Sequence, residues 1–525
     1  MSAALSPTPQ PHCREVWTTN GPWPRSADLW SAVAQTSSLH GLQGTKGPGI
    51  TEDNRTSSAC AGRRPALQQT RGLRYAKGLR LSLKLPRRAP RPWRAGLVLF
   101  AFLATRAFAQ SWLLTGATVH TVSGETFSPG QVLIRDSQIA AVGETLSADG
   151  ASNIDLSGLQ LYPGLIALNT GLGLTEIEAV RATRDATETG DYTPDVQSWV
   201  AVNPDSELIP VARANGIAAF EPVPQGGIVS GFSALMSVEG WTTEQMVLRQ
   251  PIALHLFWPK VDLDVPPKPA GPAKAKSLDE QAKERSAKLR ALADFFDEAR
   301  AYAQAKDASA KGAAPAPNIV PAWEAMLPCV RGQVPIVVHA DDLRQIRAAV
   351  EWADTNGFKI ILAGGRDAFR VAGLLAAKKI PVIYSHTFTR PARDTESYDV
   401  HFTAPEVLRK AGVTVVFSLS PSAWDATMIR NLPYSAAQAV AFGFPAEEAL
   451  KALTLYPARL AGVADRLGSI EPGKQATLFA ADGDILDLRA NVKRMWIAGQ
   501  EVSLDSRHTK LYQKYKNRPR PVASP

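Results

Sequence analysis

From Ser111 onward the chain alternates short apolar runs with amphipathic ones. Residues 112–120, WLLTGATVH, read as a strand, and after a glycine-containing turn 131–136 and 138–143 repeat the pattern. Strands separated by turns at this spacing predict a small β unit. A similar pair of runs stands far away, at 476–480 and 492–502. Between these ends, apolar runs at 334–339, 359–363, 380–384 and 413–417 alternate with helical stretches at 343–352, 369–377 and 405–410. Strands alternating with helices predict βα units and a parallel sheet. Strands that are apolar throughout predict burial on both faces. Repetition over about 300 residues fits a (β/α)8 barrel better than an open sheet.

One segment breaks the rhythm. Residues 261–275 are rich in Pro, Ala and Lys and read as a linker. Ser277-Leu278-Asp279-Glu280 then forms a capping box, in which the serine hydroxyl and the glutamate carboxylate each take one of the free amides at the start of a helix. Leu289, Leu292, Phe296 and Ala299 continue at helical spacing to about residue 306, and a second Ala/Pro tract closes the segment at 308–318. An amphipathic helix inserted between barrel strands is expected. It reads as an exposed, charged helix without a function of its own; an interaction surface for an envelope partner is the functional alternative.

Composition changes the picture only once its distribution is seen. The 525 residues carry 58 Lys+Arg against 49 Asp+Glu, a net charge of +9 that by itself suggests a nucleic-acid partner. Residues 1–109 hold 16 of those cations and only 4 of the anions, so the remainder is slightly acidic, 42 against 45. The basic character belongs to the leader, and no nucleic-acid partner is expected. A hydrophobic fraction of 45% with 20% charged residues excludes wholesale disorder.

Residues 1–78 show neither strand nor helix period and read as an unstructured or untranslated leader. In 79–109 a basic run around Arg87, Arg88, Arg91 and Arg94 precedes the apolar stretch 95–104 and Ala107-Phe108-Ala109. That order of charge, apolar core and small residues is a secretory signal. Its apolar core is shorter than the roughly 18 residues a spanning helix needs, so no transmembrane segment is expected. The protein is expected to be bacterial and exported, periplasmic or extracellular, with a true start near Leu79, Leu81 or Leu83. Of the three cysteines, Cys13, Cys60 and Cys329, only the last follows the signal, which excludes a disulfide framework.

Several motifs then resemble a known family. Leu161-Tyr162-Pro163-Gly164-Leu165-Ile166 resembles the run that enters the first barrel strand of the amidohydrolase superfamily. Leu455-Tyr456-Pro457-Ala458-Arg459-Leu460-Ala461-Gly462 and Gly468-Ser469-Ile470-Glu471-Pro472-Gly473-Lys474 resemble its last helix and its return to a small β domain. The nearest flavour is the imidazolonepropionase-like branch. The resemblance implies a TIM-like barrel flanked by a composite β-sandwich built from both chain ends. The domains are then 110–162 and 467–505 for the sandwich, 163–466 for the barrel with its insertion at 261–318, and 506–525 for a basic tail. It also implies hydrolysis of non-peptide C–N bonds in amides or cyclic amides, with a small molecule in the barrel mouth. A homo-oligomer is left open.

The chemistry departs from that pattern. The family's two histidines after the first strand, at i and i+2, would point to one side of a strand end. Asn169 and Gly171 occupy those places. A catalytic zinc wants about three N, O or S protein ligands, so the zinc that the resemblance implies lacks its expected set. The cofactor is unknown and no metal ligand is assigned. His339 stands where the resemblance places the fifth-strand histidine, and Asp425 lies beyond the place of the eighth-strand acid. These two are the catalytic candidates, with Asn169 and His386 as substrate-binding candidates. Ser237 stands near the place of a family lysine. The alternative reading is a catalytically degenerate barrel that binds a ligand or a partner.

Overall fold

The computed structural model describes residues 111–261 and 276–519. The expected leader, the expected export signal and nearly all of the expected linker lie outside the described residues. Both chain ends contribute to one eight-stranded sheet. Its strands are β1 (Trp112–His120), β2 (Thr126–Arg135), β3 (Gln138–Gly143), β4 (Ser152–Asp155) and β5 (Gln160–Pro163), with β14 (Leu478–Ala481), β15 (Val492–Ile497) and β16 (Gln500–Glu501) from the far end. The order is β16-β15-β14-β5-β1-β2-β3, with β4 beside β1. The join is made where Leu478 to Ala481 pair antiparallel with Pro163 to Gln160. Period-two alternation turns Leu114, Val132, Ile134, Ile139, Leu161, Leu478 and Trp496 into one core.

The second sheet is the barrel. It contains β6 (Leu165–Thr170), β7 (Ile217–Pro222), β8 (Val229–Ser237), β9 (Val247–Phe257), β10 (Ile336–Ala340), β11 (Ile360–Gly364), β12 (Val382–Tyr384) and β13 (Val415–Phe417) in sequential order. Ser418 Oγ donates to Leu168 O at 2.7 Å, so the two edge strands approach and the sheet is nearly closed. The strands from β9 to β13 are parallel, as the alternation of apolar runs and helices implies. The first half differs. β8 runs antiparallel to both β7 and β9, and the connections on either side carry no crossover helix of βα type. Gly226 and Gly227, both at positive φ, make the turn that reverses the chain into β8.

Alternation also layers the barrel interior. Ala219, Leu235, Ala253, Val337 and Ile361 pack with Ala458, Val463 and Leu467, which seal the base of the barrel. Two residues further along each strand toward the mouth stand Glu221, Ser233, His255, His339 and Ala363. A polar layer therefore lies one pleat above an apolar one.

The inserted helix spans Leu278–Ala310 and begins with the expected capping box at Ser277 and Glu280. Leu292, Phe296 and Ala299 are buried, joined by Tyr302 and Ala303. Phe296 packs edge-on to Trp352 at 5.1 Å between centroids, and Phe295 stacks on Tyr192 at 4.8 Å. The C-terminal half is thus fastened to the barrel, whereas the first three turns are mostly exposed.

Candidate functional site

Glu221, Ser233 and His255 are 1%, 0% and 0% exposed, yet all three are polar. Buried polar groups need partners, and here they supply one another. Ser233 Oγ donates to Glu221 Oε1 at 2.7 Å, and His255 Nε2 lies 2.8 Å from Ser233 Oγ and 3.2 Å from Glu221 Oε1. The second carboxylate oxygen accepts the Asn169 backbone amide at 3.0 Å. His255 Nδ1 then meets His339 Nε2 at 3.0 Å.

The serine proton is committed to Glu221, so hydrogen-bond logic puts a proton on His255 Nε2 and leaves Nδ1 as acceptor for His339 Nε2–H. The result is a directed chain from His339 through His255 to Glu221. His339 is its only partly exposed member. Its ring lies flat on Phe257, with centroids 4.0 Å apart and planes 5° from parallel. Its Nδ1 is engaged by no described side chain.

Electrostatics follow from this geometry. Burial raises the Glu221 carboxyl, but the hydrogen bonds from His255, the Ser233 hydroxyl and the Asn169 amide outweigh it and hold the group below its ordinary range. Burial, reinforced by His255, holds the His339 imidazole well below the ordinary histidine range, with only Asp341 opposing. At neutral pH the chain therefore ends in an ionised carboxylate at one side and a neutral imidazole at the other.

A second polar system sits at the strand ends beside it. Asp341, two residues beyond His339, meets His386 Nε2 through Oδ1 at 2.7 Å. Tyr384 O–H lies 3.0 Å from His401 Nδ1. Further out, Arg393 grips Asp367 through two nitrogens, at 2.9 and 2.5 Å, and reaches Glu396 at 2.7 Å. These ion pairs anchor the loop that carries His386.

The sequence candidates are thus separated into different roles. His339 ends the buried chain, and His386 belongs to the neighbouring pair with Asp341. Asn169 is 1% exposed and joins the layer through its backbone amide, while its side chain turns to Leu419 O at 3.4 Å. Asp425 is not hydrogen-bonded to His339. Its carboxylate takes the Ser420 and Ser422 hydroxyls at the start of the helix Ala423–Met428, where Ser422 is the N-cap. Ser237 lies at the opposite end of β8 and lines a cavity of about 280 Å³ at the barrel base.

Glu221, Ser233, His255 and Asp341 were not among the candidates. The signal for Glu221 is a single charged residue inside an apolar strand, Ile-Ala-Ala-Phe-Glu-Pro, which costs several kcal/mol of desolvation unless paired.

Residues 242–502 match the description "Amidohydrolase family". That stretch of the chain is similar to the amidohydrolase family. The amidohydrolase from Thermotoga maritima MSB8 shares the fold, with 25% identity, a TM-score of 0.64, and coverage of 75% of this chain and 99% of that one. Amidohydrolase tasK of Hapsidospora irregularis is 22% identical over 410 residues, covering 70% of this chain. The chain spans only 39% of that relative's length.

A metal at the mouth of the barrel is tested by the donors present. Among the described residues, no three His, Cys, Asp or Glu side chains are placed to hold an ion together. Nor is there space at the two replaced positions. A Cβ on Gly171 would lie 2.6 Å from the Pro421 carbonyl oxygen, well inside van der Waals contact. Asn169, at φ 58°, turns off the strand path before its side chain can continue the alternation into the barrel. Gly364, at the end of β11, is likewise filled: its missing Cβ would stand 2.5 Å from Asp341 Oδ1. The mouth does not fit the zinc that the family implies.

Proposed function

We propose that this chain is an exported amidohydrolase-family hydrolase that cleaves non-peptide C–N bonds by activating water at His339. The observation that carries the reading is the buried chain Glu221–His255–His339, with its one accessible nitrogen at His339 Nδ1. A fully buried carboxylate held ionised by His255, Ser233 and the Asn169 amide is costly as a structural device and suits a base that must share positive charge as it takes a proton. As His339 Nδ1 gains a proton, its Nε2–H becomes a stronger donor to His255, and His255 Nε2–H a stronger donor to Glu221.

Magnitude narrows the substrate. A positioned general base supplies about 10²–10⁴-fold, roughly 3–5 kcal/mol of barrier. That is far short of unactivated amide hydrolysis. The reading therefore takes strained or activated cyclic amides, the class suggested by the imidazolonepropionase-like motifs, over simple amides. Purified protein is to be assayed on cyclic amides and N-acyl amino acids, with and without chelator, alongside metal analysis. Turnover that survives chelation and falls by about 10²–10⁴-fold in His339→Ala supports the reading. Stoichiometric zinc that disappears in His339→Ala would overturn the water-activation scheme.

The filled position at Gly171 favours a second reading, a barrel that binds a ligand or partner without turning it over. Absence of turnover across the panel, together with saturable binding of one of its members, decides for that reading.

A further inference from the structure

Resting on the hydrolytic reading, we infer that His386 is the catalytic acid that protonates the leaving nitrogen, with Asp341 as its positioning residue. Water activation alone does not break an amide. The tetrahedral carbon must expel nitrogen, and an amide nitrogen leaves only when it carries a proton. The buried chain cannot supply that proton, because each of its hydrogens is committed inward.

The geometry points to the neighbouring pair. His339 lies in the last pleat of β10 (Ile336–Ala340), and Asp341 is the first residue beyond the strand. Asp341 bonds His386 Nε2 at 2.7 Å, and the same carboxylate lies near enough to His339 to oppose the lowering of that imidazole. His386 has 16% of its side-chain surface exposed, so its other face reaches solvent. Its Nδ1 has only a long contact, 3.4 Å, with Thr389 Oγ1. The carboxylate on Nε2 fixes the ring with Nδ1 turned outward, so that when the ring carries both protons Nδ1–H is the one presented to substrate.

Gly364 makes this arrangement sterically available. Asp341 Oδ1 occupies the space of its missing Cβ, and φ of +87° is a conformation that glycine tolerates. The room left by the absent side chain is thus used to seat the carboxylate. Arg366 adds its backbone N–H to Asp341 Oδ1 at 3.4 Å.

The step balances as follows. His339 Nδ1 takes a proton from water as the water oxygen bonds the carbonyl carbon. The C–N bond breaks with its electron pair on nitrogen, and His386 Nδ1–H delivers the proton. His339 then loses a proton to solvent and His386 regains one, so amide and water give acid and amine.

The test compares two leaving groups on one acyl chain, a p-nitroanilide and a p-nitrophenyl ester. The phenolate leaves without a proton; the anilide nitrogen requires one. Wild-type protein is expected to hydrolyse both. His386→Gln is expected to lower the anilide-to-ester ratio of kcat/KM by about 10²-fold. Asp341→Asn and Gly364→Ala should lower the same ratio by a smaller factor, and they keep the test open should His386→Gln fail to fold. Equal losses on both substrates, or an unchanged ratio in all three variants, would overturn the acid assignment and leave the base at His339 standing. A wild-type protein inert to both substrates and to the cyclic amides would overturn the hydrolytic reading, and the acid with it.

Discussion

The buried layer inside the barrel and the ion pairs at its rim use similar residues under opposite conditions. In the layer, Glu221 and His255 have no water to fall back on, so each polar atom is defined by one neighbour. At the rim, Asp341 and Arg393 keep 47% and 37% of their side-chain surface in solvent, so each contact competes with water. The comparison teaches that burial converts a hydrogen bond into a requirement. A proton relay can be held rigid in the first region, and protons can be exchanged with solvent in the second.

The sharpest way to break this comparison is Glu221→Ala. Removal leaves His255, Ser233 and the Asn169 amide facing a void, and a loss of about 3–5 kcal/mol in chemical denaturation is expected. A loss below about 1 kcal/mol would show that water replaces the carboxylate and that the layer is no drier than the rim.

Acid should find the same layer. Glu221 has its folded-state pKa lowered, so its stabilisation is complete above the unfolded value of 4.5 and is lost as pH falls through the folded value. His339 is also lowered, from 6.5, so the unfolded chain gains its proton first and stability begins to fall below that pH. At the rim, Glu396 is lowered from 4.5 to about 2 by Arg393 and Arg370 against the opposing effect of burial, so the loop they anchor should hold until near pH 2. Thermal midpoints across pH 2–7 are expected to decline first between 6.5 and 4.5. A midpoint flat over that interval would argue that His339 is charged in the folded protein. The acidic limb of kcat/KM should likewise lie below pH 6.5, since the base must be neutral.

Smaller effects are expected outside the layer. Asp367→Asn removes the carboxylate that Arg393 grips and should cost about 2 kcal/mol, because Asp367 is 1% exposed although its partner is not. Ser422→Ala removes the helix cap beside Asp425 and should cost about 1 kcal/mol without altering the pH profile. If that profile does change, Asp425 takes part in the chemistry after all. The Lys276–Glu284 pair at the exposed start of the inserted helix, 62% and 52% exposed, is expected to contribute nothing measurable in a double-mutant cycle.

Much of the fold was legible along the chain because local physics writes it there. The capping box at Ser277 and Glu280 needs only four residues, and Leu292, Phe296 and Ala299 share a helix face by spacing alone. The strands β10 to β13 are apolar throughout because both of their faces are covered. Strand direction is not written in this way. Val229–Ser237 has the same buried pattern whether it runs parallel or antiparallel, and the glycine turn before it decided the matter.

The site divides along the same line. His339 was legible because a family motif surrounds it, and Asn169 and Gly171 were visible at once where the resemblance expects two histidines. What filled their space was not. Pro421 is 250 residues from Gly171, and only the approach of β13 to β6 brings its carbonyl there. Glu221, Ser233, His255 and His339 come from four strands, and nothing in any one strand announces the other three. By itself the sequence determined which residues are apolar and where helices begin. The tertiary structure decided which polar residues face one another, because inside a barrel a partner is chosen by strand order and register and not by distance along the chain.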